Sequence, residues 1–184
     1  MTHVAKAAGL SQGIVNFYFK TKEALLYETL EHLAEEYESL LQRALDKAGS
    51  DPVAALDAMI ETDLGPDACT PTKSAVWLAF WAESRARPKY RQLCRKLAET
   101  YHRQVCDLCA GLAARGGYEG LDVDTIARSF NALVDGLWVD LATDPQSFDR
   151  GRAKRACRAY FAGFFPAEFA ALLERDRDDR RRAS

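Results

Sequence analysis

From Thr21 onward, apolar side chains recur three and four residues apart, at Leu26, Leu30, Leu33, Tyr37, Leu40, Leu41 and Ala44. That spacing places them along one face of a long helix. Thr21 is a suitable N-cap, Glu23 lies in the first turn, and Gly49 ends the run. Asp51-Pro52 is a second start, a capping carboxylate followed by proline at the first helical position, and this helix stops near Gly65-Pro66. Further helices are predicted over 72–86, 88–115, 122–143 and 149–164, with a turn at Gly116-Gly117. No stretch alternates apolar and polar residues with a period of two, and clusters of β-branched residues are missing, so the fold class is all-α. The final ERDRDDRRRAS alternates charge without apolar partners and is expected to be frayed or disordered. There is no internal repeat.

Composition narrows the class. At 184 residues, 48% hydrophobic and 28% charged, the chain is long and apolar enough to bury a core. No apolar run reaches the ~18 residues of a membrane span, and the N-terminus lacks the order of a secretory signal, so no membrane partner and a cytoplasmic location are expected. Five cysteines, an odd number in a chain of this size, point to reduced thiols.

Charge is unevenly placed. The net charge is −2, but residues 1–22 hold Lys6, Lys20 and Lys22 with no acidic residue, giving +3 there and −5 over the other 162. Within this basic end, residues 2–8 read as a helix, Gly9 allows a sharp turn, and Ser11 caps a second short helix carrying Gln12, Asn16 and Phe17. Two short helices about a glycine turn fit a helix-turn-helix, whose second helix can enter the DNA major groove. By spacing alone, an ordinary helical hairpin fits as well.

The segment AKAAGLSQGIVNFYFKTKEALL (5–26) resembles the second half of the DNA-binding domain of TetR-family repressors. The resemblance implies that residues 11–18 are the recognition helix, that Tyr18 and Lys22 contact phosphate, and that Phe19 and Leu25 close the small core. Lys22 at a helix start suits this role, because its charge adds to free backbone N–H groups and the positive end of the helix. Ser11, Gln12 and Asn16 are the candidate base readers, glutamine and asparagine being able to pair bidentately with adenine. Gly13 and Phe17 complete the candidate DNA-facing set. Asn16-Phe17 departs from the family's usual Tyr-His. Family members also carry a basic arm and a further helix before the segment present here. The expectation is therefore a partial DNA-binding end over 1–44, with Val4, Ile14, Phe19 and Leu25 uncovered and operator binding weak, ahead of a ligand-binding and dimerisation region over 45–170 and a charged tail over 171–184.

Two further segments, SAVWLAFWAESRARPKYR and ALVDGLWVDLATDPQSFDRGRA, resemble choline-responsive members of the same family. They imply a homodimeric repressor of genes that convert choline to glycine betaine, bound to a palindromic operator and released by choline. The residues suit a cation. Trp77 and Trp81 are four apart with Phe80 between them, and Asn131, Asp135 and Trp138 fall at i, i+4 and i+7. Tyr101 on the preceding helix is a candidate fourth ring. A quaternary ammonium cannot donate hydrogen bonds, so aromatic faces and a nearby carboxylate are its best neighbours. Tryptophans at helical spacing also serve as plain core, and Asp135 has the alternatives of capping or pairing across a dimer. The helices over 122–143 and 149–164, through Leu133, Leu137, Phe161, Phe164 and Phe165, are candidates for a twofold four-helix interface.

Other chemistry is weakly signalled. His102, Cys106 and Cys109 share one helix face, but one helix rarely supplies the four tetrahedral ligands zinc prefers, and buried apolar thiols are the expected reading. His3 and His32 have no catalytic neighbours, and neither a phosphate-binding glycine loop nor a nucleophile elbow is present. No catalytic residue, metal or cofactor is expected. The alternatives are a regulator answering another cation or a lipophilic molecule, and a ligand-binding module without DNA binding.

Overall fold

In a computed structural model, residues 1–183 are described in backbone and, except at 179, 180, 182 and 183, in side chain. All described secondary structure is helical: α1 (Thr2–Ala7), α2 (Gln12–Tyr18), α3 (Lys22–Ala48), α4 (Pro52–Asp63), α5 (Pro71–Ser84), α6 (Pro88–Gly116), α7 (Val123–Thr143), α8 (Arg150–Ala162) and α9 (Pro166–Ala183). The caps are those the side chains favour. Ser11, Thr21, Asp51, Asp122 and Asp149 each accept a hydrogen bond from the backbone N–H three residues on, which satisfies one donor the helix leaves free. Between α1 and α2 the chain reverses at Gly9, whose φ of 66° suits glycine. There Leu10 N–H donates to the carbonyl of Ala5 and Gly9 N–H to that of Lys6, closing the helix end.

The core is built around α4, which packs on α3, α6 and α8 and buries Leu56, Met59, Ile60 and the following Leu64 completely. α5 lies against α6 and α7, and α8 against α7 and α9. The two short helices pack on each other but bury only Ala5 and Val15. Val4 and Ile14 are exposed as expected, whereas Phe19 and Leu25 are half-buried. No described helix is long and apolar enough to cross a membrane.

Two expectations are corrected. The charged tail is helical: α9 continues to Ala183, and only Ser184 of that stretch lies outside the described residues. Its charges have partners that are remote in sequence. Arg158 of α8 donates to Asp176 (2.8 Å), Asp57 (2.6 Å) and Glu61 (2.5 Å), and Arg175 reaches Asp57. Phe161 and Phe165 are also unavailable to an interface, because both are fully buried within the protomer. Phe161 lies 4.5 Å from the Phe130 ring and 5.5 Å from that of Phe169. Leu133, Leu137 and Phe164 remain half-buried.

Candidate ligand cavity

A cavity of about 520 Å³, open to solvent on one side, lies between α3, α4, α5, α6 and α7, a size typical of small-molecule sites. Trp77, Trp81 and Trp138 line it. The Trp81 and Trp138 rings stack at 6.5 Å with 19° between planes, and Trp77 leans on Trp81 at 6.4 Å. Tyr37 meets Trp138 edge to face at 6.3 Å. Tyr101, Asn131 and Asp135 are brought to the same cavity. Phe80 is not. It lies one residue from Trp81, about 100° round the helix, and packs in the core against Tyr90 at 5.5 Å.

Asp63, at the end of α4, is the central acid of the cavity and was not anticipated. It is fully buried. Tyr37 donates to Oδ1 at 2.5 Å and Tyr101 donates to Oδ2, while Trp138 Nε1–H donates to its backbone carbonyl at 2.9 Å. Burial pushes its carboxyl up to about 6, against the pull of the two phenol donors. Asp135 is open to the cavity mouth, yet the surrounding bulk pushes its carboxyl up to about 6 as well. The two phenols are raised in turn, by burial first and then by the Asp63 charge. Asn131 adds an amide Oδ1 that is buried without a hydrogen-bond partner. Two acids, three indoles and two phenols around one void suit a cation that cannot hydrogen-bond. The sequence did carry a signal for Asp63: it follows Met59 and Ile60 at i+4 and i+3, on the apolar stripe of α4.

The candidate DNA-facing residues lie together on α2 and the start of α3. Ser11, Gln12, Gly13, Asn16, Phe17, Tyr18 and Lys22 are all exposed, Phe17 and Tyr18 at 80% and 72%. Ser11 Oγ caps α2, Thr2 Oγ1 donates to Gln12 Oε1 at 3.2 Å, and Lys22 is the first residue of α3.

On α6, Cys109 is buried and its thiol is pushed up to about 12 by burial. His102 and Cys106 instead meet Asp124 of α7, with ligand atoms within 4.8 Å of one another. His102 Nε2 lies 2.8 Å from Asp124 and 3.5 Å from Cys106 Sγ, but Arg128 donates to the same carboxylate at 2.7 Å. With a guanidinium already there, an ion-pair cluster accounts for these contacts without a metal.

A helical bundle that holds an aromatic, acidic cavity and carries an exposed short helix pair ahead of α3 has the all-α fold of TetR-family transcription regulators. Residues 52–166 match the family described as BetI-type transcriptional repressor, C-terminal, and the chain belongs to that family. It is 32% identical over 163 residues to the HTH-type transcriptional regulator BetI of Ectopseudomonas mendocina, covering 87% of this chain and 80% of that one. Among solved structures, a transcriptional regulator from Pseudomonas aeruginosa PAO1 superposes with a TM-score of 0.77 at 25% identity, over 91% of this chain and 81% of that one. A regulator from Saccharomonospora viridis, solved in complex with choline, gives 0.72 at 21% identity over 85% and 81%, a likeness of fold.

Proposed function

We propose that the chain is a homodimeric repressor that senses a quaternary ammonium compound, with choline as the effector and the genes of glycine betaine synthesis as its target. The observation that carries this reading is the convergence of Trp77, Trp81 and Trp138 with Asp63 and Asp135 on one cavity. Each indole face contributes ~0.5–2 kcal/mol toward a desolvated cation. The two carboxylates supply the charge, and Asn131 Oδ1 is placed to accept from a ligand hydroxyl. The BetI relatives and the choline complex of the Saccharomonospora viridis regulator support the same effector class.

In this mechanism a twofold dimer presents two copies of α2 to a palindromic operator. Choline releases the DNA only if it prefers the arrangement of the two ends that does not fit the half-sites. Helix α3 connects the two regions. It starts at Lys22 and carries Tyr37, fifteen residues or ~22 Å along the axis, to the cavity acid. A second link is Arg87, which bridges Glu23 at the head of α3 (2.7 Å) and Glu83 at the end of α5 (2.8 Å).

Calorimetric titration with choline tests this reading. Saturable binding at one site per chain, lost in Trp81→Ala, supports it. Binding only of lipophilic cations, or choline binding untouched by the substitution, overturns it.

A further inference from the structure

The cavity is not lined by acids and rings alone. Arg91 and Arg95 of α6 line it together with Asp63 and Asp135. They belong to a cationic stretch: between Ser84 and Ala98 lie Arg85, Arg87, Lys89, Arg91, Arg95 and Lys96, with no carboxylate. Arg87 is occupied by Glu23 and Glu83. Arg95 has one exposed partner, Glu99, at 3.5 Å, a pair of little energetic weight. Among the described residues, Arg91 is within ion-pair distance of no carboxylate.

Along α6 the lining residues Arg91, Arg95, Ala98 and Tyr101 follow each other at four, three and three residues, so they share one stripe. Tyr101 holds Asp63 at the inner end. Arg95 stands six residues, or ~9 Å, before it along the axis and Arg91 ~15 Å before it. Both arginines are exposed, Arg95 with 71% of its side chain accessible, so they border the cavity from its solvent side. The cavity carries both signs of charge: Asp63 is fully buried within, Asp135 is open to the mouth, and the exposed Arg91 and Arg95 line it from α6. A cation alone leaves the Arg91 guanidinium with no ion-pair partner among the described residues, in a cavity of about 520 Å³.

We infer that the cavity accepts a zwitterion: a quaternary ammonium head between the indoles and Asp63, joined to an anionic group held by Arg91 and Arg95. The inference rests on the cation-sensing reading above and narrows its ligand class. Planar guanidinium forks pair bidentately with carboxylate, sulfate or phosphate oxygens, and all three chemistries satisfy the two arginines.

The test is calorimetry at fixed ionic strength with choline, glycine betaine and phosphocholine, on the wild-type chain and on Arg91→Glu/Arg95→Glu. At least one zwitterion is expected to bind about tenfold more tightly than choline, the scale of one charge-assisted hydrogen bond, and which one identifies the anion. Reversing the arginine charge is expected to weaken the zwitterion about tenfold and to tighten choline, opposite movements that misfolding cannot produce. Choline binding at least as tightly as both zwitterions overturns the inference and leaves the cation site standing. So does a charge reversal that moves all three ligands together or none. Failure of all three to bind the wild type overturns both readings.

Discussion

Tyr37 Oη lies 2.5 Å from Asp63 Oδ1, so a side chain of the helix that starts at Lys22 donates to the buried acid of the ligand cavity. The second oxygen of the same carboxylate accepts from Tyr101 on α6. The two phenols are chemically alike at Asp63 and differ in where their helices lead. α3 is continuous from Lys22 at the candidate DNA-binding end to Tyr37, whereas α6 meets that end only through side chains at its start, Arg87 on Glu23 and Tyr90 on Tyr27.

That difference makes a paired prediction. Tyr37→Phe and Tyr101→Phe each remove one donor from a charged acceptor and are expected to weaken choline binding by a similar factor, about tenfold. Only Tyr37→Phe is expected to uncouple as well, so that at saturating choline more DNA stays bound than in Tyr101→Phe. Anisotropy of labelled operator with and without ligand separates affinity from coupling. Equal residual DNA binding in the two variants removes Tyr37 as the link.

The raised carboxyl of Asp63 sets a pH dependence. Its folded value of about 6 lies above the unfolded ~3.9, so between those limits the folded state binds more protons. Stability of the ligand-free protein is therefore expected to fall as pH rises from ~4 to ~6, and then to level off. A shift of about two units on this buried group corresponds to roughly 3 kcal/mol. Asp63→Asn is expected to remove most of that slope and to melt higher at pH 7.5 while losing choline affinity. The more exposed Asp135 leaves a smaller residual slope. Choline binding to the wild type runs the other way, tightening as pH rises through 6 and the acids ionise. Thermal melts and titrations from pH 4.5 to 8 measure both. A stability curve flat across that range places Asp63 in a solvated environment and ends the explanation.

A third prediction concerns the charge cluster that holds α9. Arg158 is 5% exposed and faces Asp57, Glu61 and Asp176. Arg158→Met strands the buried carboxylate of Asp176 on α9, while Asp57 keeps Arg175 and Glu61 keeps Lys154, at an expected cost of about 3 kcal/mol. Urea unfolding reads it as a lower midpoint. Asp176→Asn, which removes one acid and keeps the guanidinium paired with two others, is expected to cost less. If the two variants unfold at the same midpoint, the loss comes from undocking α9 and not from unpaired charge.

This cluster also shows why the last helix was missed in the sequence. Local signals are strong where a cap side chain closes its own first turn, as at Thr21, Asp51 and Asp149, and the helices they start were found. Of the α9 charges, Arg175 reaches Asp57 on α4 and Asp176 accepts from Arg158 on α8, relationships no local window along the chain contains. The indoles were legible because i, i+4 spacing is local. Phe80 was misplaced because which flank of α5 meets α6 depends on packing, and Tyr90 takes it. The position of Asp63 on the apolar stripe of α4 was a local signal, but its hydrogen bonds come from Tyr37 and Tyr101 on other helices, which no local pattern contains. The interface candidates failed at Phe161 and Phe165 for the same reason: α9 folds back and supplies Phe169 from the stretch assigned to the end of the ligand-binding region and the tail.

The last prediction separates positioning from reading at the DNA end. Lys22 opens α3 at the positive end of its dipole, and Gln12 and Asn16 stand exposed on α2. Lys22→Ala is expected to weaken binding to all sequences alike and to lower the slope of log affinity against log salt by about 1 per protomer, one phosphate contact each. Asn16→Ala is expected to leave that slope unchanged and to relax preference at one base pair, costing about 1–3 kcal/mol on the preferred site only. Anisotropy titrations of an operator selected in vitro, against single-base variants and across a salt series, measure both quantities. An Asn16→Ala variant that keeps full discrimination at every position removes Asn16 from base reading, and a Lys22→Ala variant with an unchanged salt slope removes the phosphate contact.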